Sequence, residues 1–168
     1  MRLLFLDRDG VANDHVPLPS GYCGVLGKGR DALNHILASV PDAQIVITSA
    51  WRYACLNRWM TIEGFEFMLL THGVCCRHRI LAHTEADPEE FKEEDHRPPY
   101  DVEKWRQAGL RWRADQIRQT VEWYSPDTWV VLDDLPLVVE NLVQTDPSVG
   151  LTMEQAEAAI AILMGQNQ

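Results

Sequence analysis

Arg2-Leu3-Leu4-Phe5-Leu6-Asp7-Arg8-Asp9-Gly10 opens the chain with a short apolar run cut off by two carboxylates and a glycine. A run of this length, apolar almost throughout, fits a strand buried on both faces, the kind that parallel sheets use. In extended chain, residues i and i+2 project to the same side. Asp7 and Asp9 are therefore expected to converge at the carboxyl edge of such a sheet, where α/β proteins bind ligands. Two carboxylates about 4 Å apart repel by about 4 kcal/mol at an effective dielectric near 20, so the site needs a compensating positive charge. Taken singly, an Asp after a strand also fits a turn or a helix cap.

Working outward, Gln44–Ile47 (QIVI) and Thr128–Leu132 (TWVVL) repeat the buried-strand pattern, with weaker candidates at Arg79–Ala82 and Leu142–Gln144. Between them, Asp31–Val40, Leu56–Leu70 and Ala114–Trp123 carry apolar residues at three- and four-residue spacing and read as helices. A last helix follows the N-cap candidate Thr152 and runs to about Met164. This alternation predicts an α/β fold, a three-layer Rossmann-like parallel sheet with helices on both faces and no large cap. The 168 residues suit one domain spanning 1–168. Two segments fit no element. Residues 10–29, rich in glycine and proline, read as a flap, and residues 84–101 (TEADPEEFKEEDHRPPYD) as an exposed acidic insertion.

Lys and Arg number 15 against 25 Asp and Glu, a formal charge of −10. Such a balance disfavours broad coating of nucleic acid or of anionic membranes, both of which need basic surface. An apolar share of 46% with 24% charged residues is that of a globular chain. No apolar run approaches the roughly 18 to 20 residues of a membrane span, and no signal peptide is read at Met1, so the expected location is the cytoplasm. The four cysteines lack a paired rhythm and read as reduced thiols. His72, Cys75, Cys76, His78 and His83 offer soft ligands but match no zinc spacing, so ordinary packing is expected of them. Trp59, Trp105, Trp112, Trp123 and Trp129 fall in or beside helices and strands, where burial is the expectation.

A second acidic pair, Asp133-Asp134, follows TWVVL and should bring further carboxylates to the same sheet edge. Oxygen ligands without His or Cys make a hard site that suits Mg²⁺ rather than zinc. The third strand end is Thr48-Ser49-Ala50-Trp51-Arg52, where a hydroxyl and backbone N–H groups can cradle phosphate oxygens. The same residues also suit a helix N-cap.

Asp7-x-Asp9-Gly10 after RLLFL, Thr48-Ser49 after QIVI, a basic residue on the helix before the last catalytic strand, and Asp133-Asp134 after WVVL together resemble the four motifs of the haloacid dehalogenase-like (HAD) superfamily. ITSAWR, VVLDD and LVQTDPSVGLT resemble its small members with little or no cap, among them the HAD domains of RNA-repair and phage-type proteins. The resemblance implies a Mg²⁺-dependent phosphatase acting on a phosphomonoester through an aspartyl-phosphate. The flap and the insertion are both short, so the site is expected to be open. Openness favours a phosphate at the end of something large, such as a nucleic-acid strand or a modified protein, with small phosphomonoesters such as nucleotides as the alternative. No membrane and no obligate protein partner are expected. Asp7 would be the nucleophile and Asp9 the acid and base. Thr48 or Ser49 would bind the phosphoryl group, Gly10 would turn the chain beneath it, and Asp7, Asp9, Asp133 and Asp134 would surround the metal. Where the family usually has Lys, this chain offers Arg111 and Arg113 at the start of a helix, with Arg113 favoured and Lys104 the substitute. Arg52 would touch substrate or pair with an acidic neighbour. A phosphate-binding or regulatory module without turnover is the alternative reading.

Overall fold

The computed structural model describes residues 1–12, 27–49, 60–84 and 102–166, the side chains of the last span from residue 107 onward. The described elements in chain order are β1 (Arg2–Leu6), α1 (Gly27–Ser39), β2 (Ala43–Ile47), α2 (Ile62–Thr71), β3 (Ile80–His83), α3 (Val102–Tyr124), β4 (Thr128–Asp133), β5 (Leu142–Gln144) and α4 (Met153–Leu163). The strands form one five-stranded sheet in the order β3-β2-β1-β4-β5, every neighbouring pair parallel. From β1 the chain first builds outward through β2 to β3 and then returns to add β4 on the other side. Connections therefore leave the adjacent carboxyl ends of β1 and β4 in opposite directions, which opens a crevice between them. The fold is the Rossmann-like α/β arrangement expected from the sequence, and no large cap is present among the described residues.

Alternation along the strands sorts the core into two layers. Leu4 and Leu6 of β1 pack with Ala32, Leu33, Ile36 and Leu37 of α1 and with Ala156, Ala159 and Leu163 of α4. Leu3 and Phe5 face the other way, onto Val46, Val131, and Leu110 and Ile117 of α3. Phe5 also meets the edge of the Trp129 ring at 83°, with centroids 6.0 Å apart. Each buried Leu, Ile, Val or Phe side chain among them contributes roughly 1.5–3 kcal/mol relative to exposure.

Several boundaries differ from the sequence reading, each for a physical reason. Helix α1 begins at Gly27, so the last residues of the expected 10–29 flap are helical. Gly29 is no breaker here, since a Cβ at that position would lie 2.6 Å from the Val11 carbonyl oxygen, and its absence lets the helix approach the turn after β1. Residues 13–26 of that segment lie outside the described residues. Of the expected helix Leu56–Leu70, residues 56–59 lie outside the described residues, and the described helix starts at Ile62, where Thr61 caps it by accepting the Gly64 N–H. Helix α3 starts at Val102 rather than Ala114, which places Arg111 and Arg113 in its middle and not at its start. Thr84, the first residue of the expected acidic insertion, donates its N–H to the Ile47 carbonyl and prolongs the sheet, while residues 85–101 lie outside the described part. At the other end, Thr152 and Gln155 form the reciprocal capping box of α4.

Candidate active site

Three neighbouring strands, β3, β2 and β1, are each prolonged by one polar residue. The N–H of Thr84 bonds to Ile47, that of Thr48 to Leu6 (3.0 Å), and that of Asp7 to Leu132 (2.9 Å). Asp133 is the last residue of β4. Continued by one position, the strand register thus sets Thr84, Thr48, Asp7 and Asp133 in a row across the carboxyl edge. Thr48 and Asp7 share the parity of Val46 and Phe5, and Asp133 that of Val131, so these side chains face the layer covered by α3.

From that layer comes the positive charge that the row requires. Arg113 Nη1 donates to Asp7 Oδ2 and to Asp133 Oδ2, both at 2.8 Å. The other oxygen of Asp133 accepts the Leu135 N–H at 3.0 Å, and Asp7 Oδ1 accepts the Arg8 N–H at 2.8 Å. The Arg113 side chain is 13% exposed, Asp7 7% and Asp133 0%. Burial works against the Arg113 charge, but the two carboxylates outweigh it and hold the guanidinium above its ordinary pKa. Burial pushes the Asp133 carboxyl up to about 7, with Arg113 opposing the rise and the Asp7 charge adding to it.

Asp134 joins the pair. Oxygens of Asp7, Asp133 and Asp134 all lie within 4.8 Å of one another. Gly10 makes this approach feasible. Its φ is +74°, and a Cβ there would fall 2.6 Å from the Asp134 carboxyl carbon. The Gly10 carbonyl is tied down by the Thr145 hydroxyl at 2.6 Å. Three clustered carboxylates against one guanidinium leave an excess of negative charge, and their donor set is all oxygen. The cluster therefore fits a hard divalent cation in both charge and chemistry.

The residues singled out in the sequence divide as follows. Asp7, Asp133, Asp134 and Arg113 come together. Thr48 lies next to Asp7 in the edge row, and Ser49, one residue further, is also buried. Asp9 stands apart from the carboxylate group and bonds through Oδ1 to Arg8 Nη1 at 3.1 Å. The strand ends at Leu6 and the chain turns at Asp9, so the two-residue alternation that would have aimed both carboxylates alike has stopped. Arg111 is exposed, since two residues along a helix amount to about 200° of rotation away from Arg113. The helical backbone at Lys104 is described but its side chain is not, and Arg52 lies outside the described residues.

Sequence reasoning missed Thr84 and Arg8. Thr84 follows the weak run ILAH, and only the sheet pairing brings it to the edge row. Arg8 is 1% exposed despite its charge, held by the same turn that sets Asp9. The histidines and cysteines of residues 72–83 form no metal group among the described residues. Trp123 is 84% exposed, contrary to the burial expected from its helical spacing. No helix among the described residues is long and apolar enough to cross a membrane.

No curated protein and no solved structure matches the chain. A family model does: that of the HAD domain in Swiss Army Knife RNA repair proteins matches residues 3–156.

Proposed function

Because the chain belongs to the family of HAD domains found in Swiss Army Knife RNA repair proteins, a family that suggests a phosphatase-type hydrolase, we propose that it is a Mg²⁺-dependent phosphomonoesterase working through an aspartyl-phosphate. One observation carries this reading. A guanidinium in the middle of α3 bridges carboxylates from two neighbouring strands, and a third carboxylate closes on them. A purely structural ion pair needs no third acid.

Asp7 Oδ2 attacks phosphorus in line and forms the acyl phosphate. Arg113 orients that carboxylate through its hydrogen bond to Oδ2, and its planar fork has further N–H groups for the phosphoryl oxygens. Thr48, beside Asp7, offers its hydroxyl to the same group. Asp9, half-buried and steadied by Arg8, protonates the leaving oxygen and then takes a proton from the water that hydrolyses the intermediate. Asp7, Asp133 and Asp134 would hold Mg²⁺, which supplies charge neutralisation at the phosphoryl oxygens. The crevice between β1 and β4 has no large cap over it among the described residues, and this openness favours a phosphate at the end of a nucleic-acid strand or on a nucleotide. The charge of −10 disfavours contact along a polyanionic backbone and so points to strand ends.

The test is phosphate release from p-nitrophenyl phosphate and from 5′- and 3′-phosphorylated oligoribonucleotides, with Mg²⁺ and with chelator. Turnover that needs Mg²⁺ and disappears in Asp7→Asn is the expected result. A folded chain that binds Mg²⁺ but releases phosphate from none of these esters would establish a phosphate-binding module in place of an enzyme.

A further inference from the structure

Beyond the carboxylate cluster, a cavity of about 680 Å³ runs between the edge strand β3 and α3, lined among others by His83, Gln116, Gln119, Thr120, Trp123 and Tyr124. Its volume falls in the range of small-molecule sites. Gln116 is only 5% exposed, yet its buried amide oxygen has no hydrogen-bond partner among the described residues. The buried hydroxyl of Thr84, one residue beyond the lining residue His83, has none among the described residues either. An unpaired buried polar atom is costly, and a ligand in the cavity that presents an N–H would complete the Gln116 oxygen. Trp123, two helical turns further along α3, offers an indole that is 84% exposed. An exposed indole at a cavity rim suits a flat aromatic ligand.

Charge decides which part of a ligand can enter. Among the described residues the lining holds no Lys or Arg, and Glu122 adds a carboxylate, so an uncharged ring is favoured over a phosphate. Position ties the cavity to the carboxylate cluster. Gln116 lies one helical turn from Arg113, about 4.5 Å of rise, and Thr84 lies two strand spacings, about 10 Å, from Asp7 in the edge row. Those are distances that a nucleotide spans between its phosphate and its base or the base that follows.

We propose that this cavity receives the unpaired terminal bases of a single-stranded nucleic acid whose end phosphate is presented to Asp7, a ring N–H donating to Gln116 Oε1 and a base stacking on Trp123. The proposal rests on the phosphomonoesterase reading for its biological sense, but base binding itself needs no turnover. Recognition by bases also accounts for how a chain of net charge −10 can hold a polyanion at its end.

The experiment titrates the chain with an unphosphorylated ribotrinucleotide and follows the indole N–H resonance of Trp123 and the side-chain amide of Gln116. Saturable shifts at both are expected. Trp123→Ala, at an exposed position that leaves folding intact, and Gln116→Leu, which keeps the volume, should each weaken binding by about fivefold or more. A blunt duplex of the same sequence should bind at least about tenfold more weakly, its bases being occupied. The proposal is overturned if neither side chain responds at millimolar trinucleotide, or if ribose 5-phosphate or phenol shifts them equally, which would assign recognition to charge or to generic apolar contact. Trinucleotide binding without hydrolysis of any phosphoester would sink the enzymatic reading and spare the cavity. Hydrolysis of p-nitrophenyl phosphate without trinucleotide binding would do the reverse.

Discussion

Replacing Arg113 by Met removes the cation shared by Asp7 and Asp133 while keeping much of the side-chain volume. At the 4.8 Å that bounds the carboxylate cluster, two unit charges repel by about 3.5 kcal/mol at an effective dielectric near 20. Breaking a buried ion pair by deleting one partner costs about 3–5 kcal/mol, so both routes give the same scale. For a chain of this length, that is a fall in Tm of roughly 6–20 °C. Urea unfolding at pH 8 in chelator measures it, with Arg111→Met, exposed two residues away, as the control that should stay within about 0.5 kcal/mol of the parent. The deficit should shrink as pH falls into the range where carboxylates protonate, because the repulsion vanishes with the charges. It should also shrink in Mg²⁺, since a cation bound only by the folded state adds about 2.7 kcal/mol at a hundred times its Kd, and the cluster without its guanidinium is more negative and binds the cation more tightly than the parent does. An Arg113→Met protein as stable in chelator as the Arg111→Met control would refute the electrostatic argument. Equal stability of the variant with and without Mg²⁺ would refute the cation site.

Three further outcomes follow from the same geometry. Asp7→Asn should lower phosphatase turnover at least about a thousandfold yet shift stability by no more than about 1 kcal/mol, since the repulsion it relieves from Asp133 offsets the attraction it loses from Arg113; steady-state kinetics beside thermal unfolding separates the two. Gly10→Ala should cost about 1–3 kcal/mol and weaken Mg²⁺ binding by calorimetry, because the left-handed backbone is strained with a Cβ and that Cβ displaces Asp134; unchanged Mg²⁺ affinity would separate Asp134 from the cation. Burial pushes the Cys76 thiol up to about 11, with Glu66 adding to the rise, so iodoacetamide at pH 8 should label the exposed Cys75 and spare Cys76 in the native chain, as peptide mass spectrometry would show. That shift also sets a direction for stability. The unfolded thiol ionises near 9 and the folded one later, so the contribution is intact below about pH 9 and is lost as pH rises toward 11.

The amino-acid sequence determined whatever depends on neighbours along the chain. RLLFL, QIVI and TWVVL became β1, β2 and β4 because an apolar run of that length has few other ways to bury itself, and Thr152 caps α4 because its partner Gln155 lies three residues away. The acidic pairs after two of those strands were legible for the same reason, since a strand end is a local feature that parallel pairing carries to a common edge. Tertiary structure decided everything that turns on rotation and on packing between distant segments. Arg113 rather than Arg111 meets the carboxylates because of the phase of a helix that starts twelve residues earlier than its apolar pattern suggests. Asp9 leaves the cluster because the strand stops before it. Thr84 enters the edge row through a pairing with β2, and Trp123 remains in solvent, because which elements meet is set by burying surface across the whole sheet, a sum that no short stretch of sequence contains.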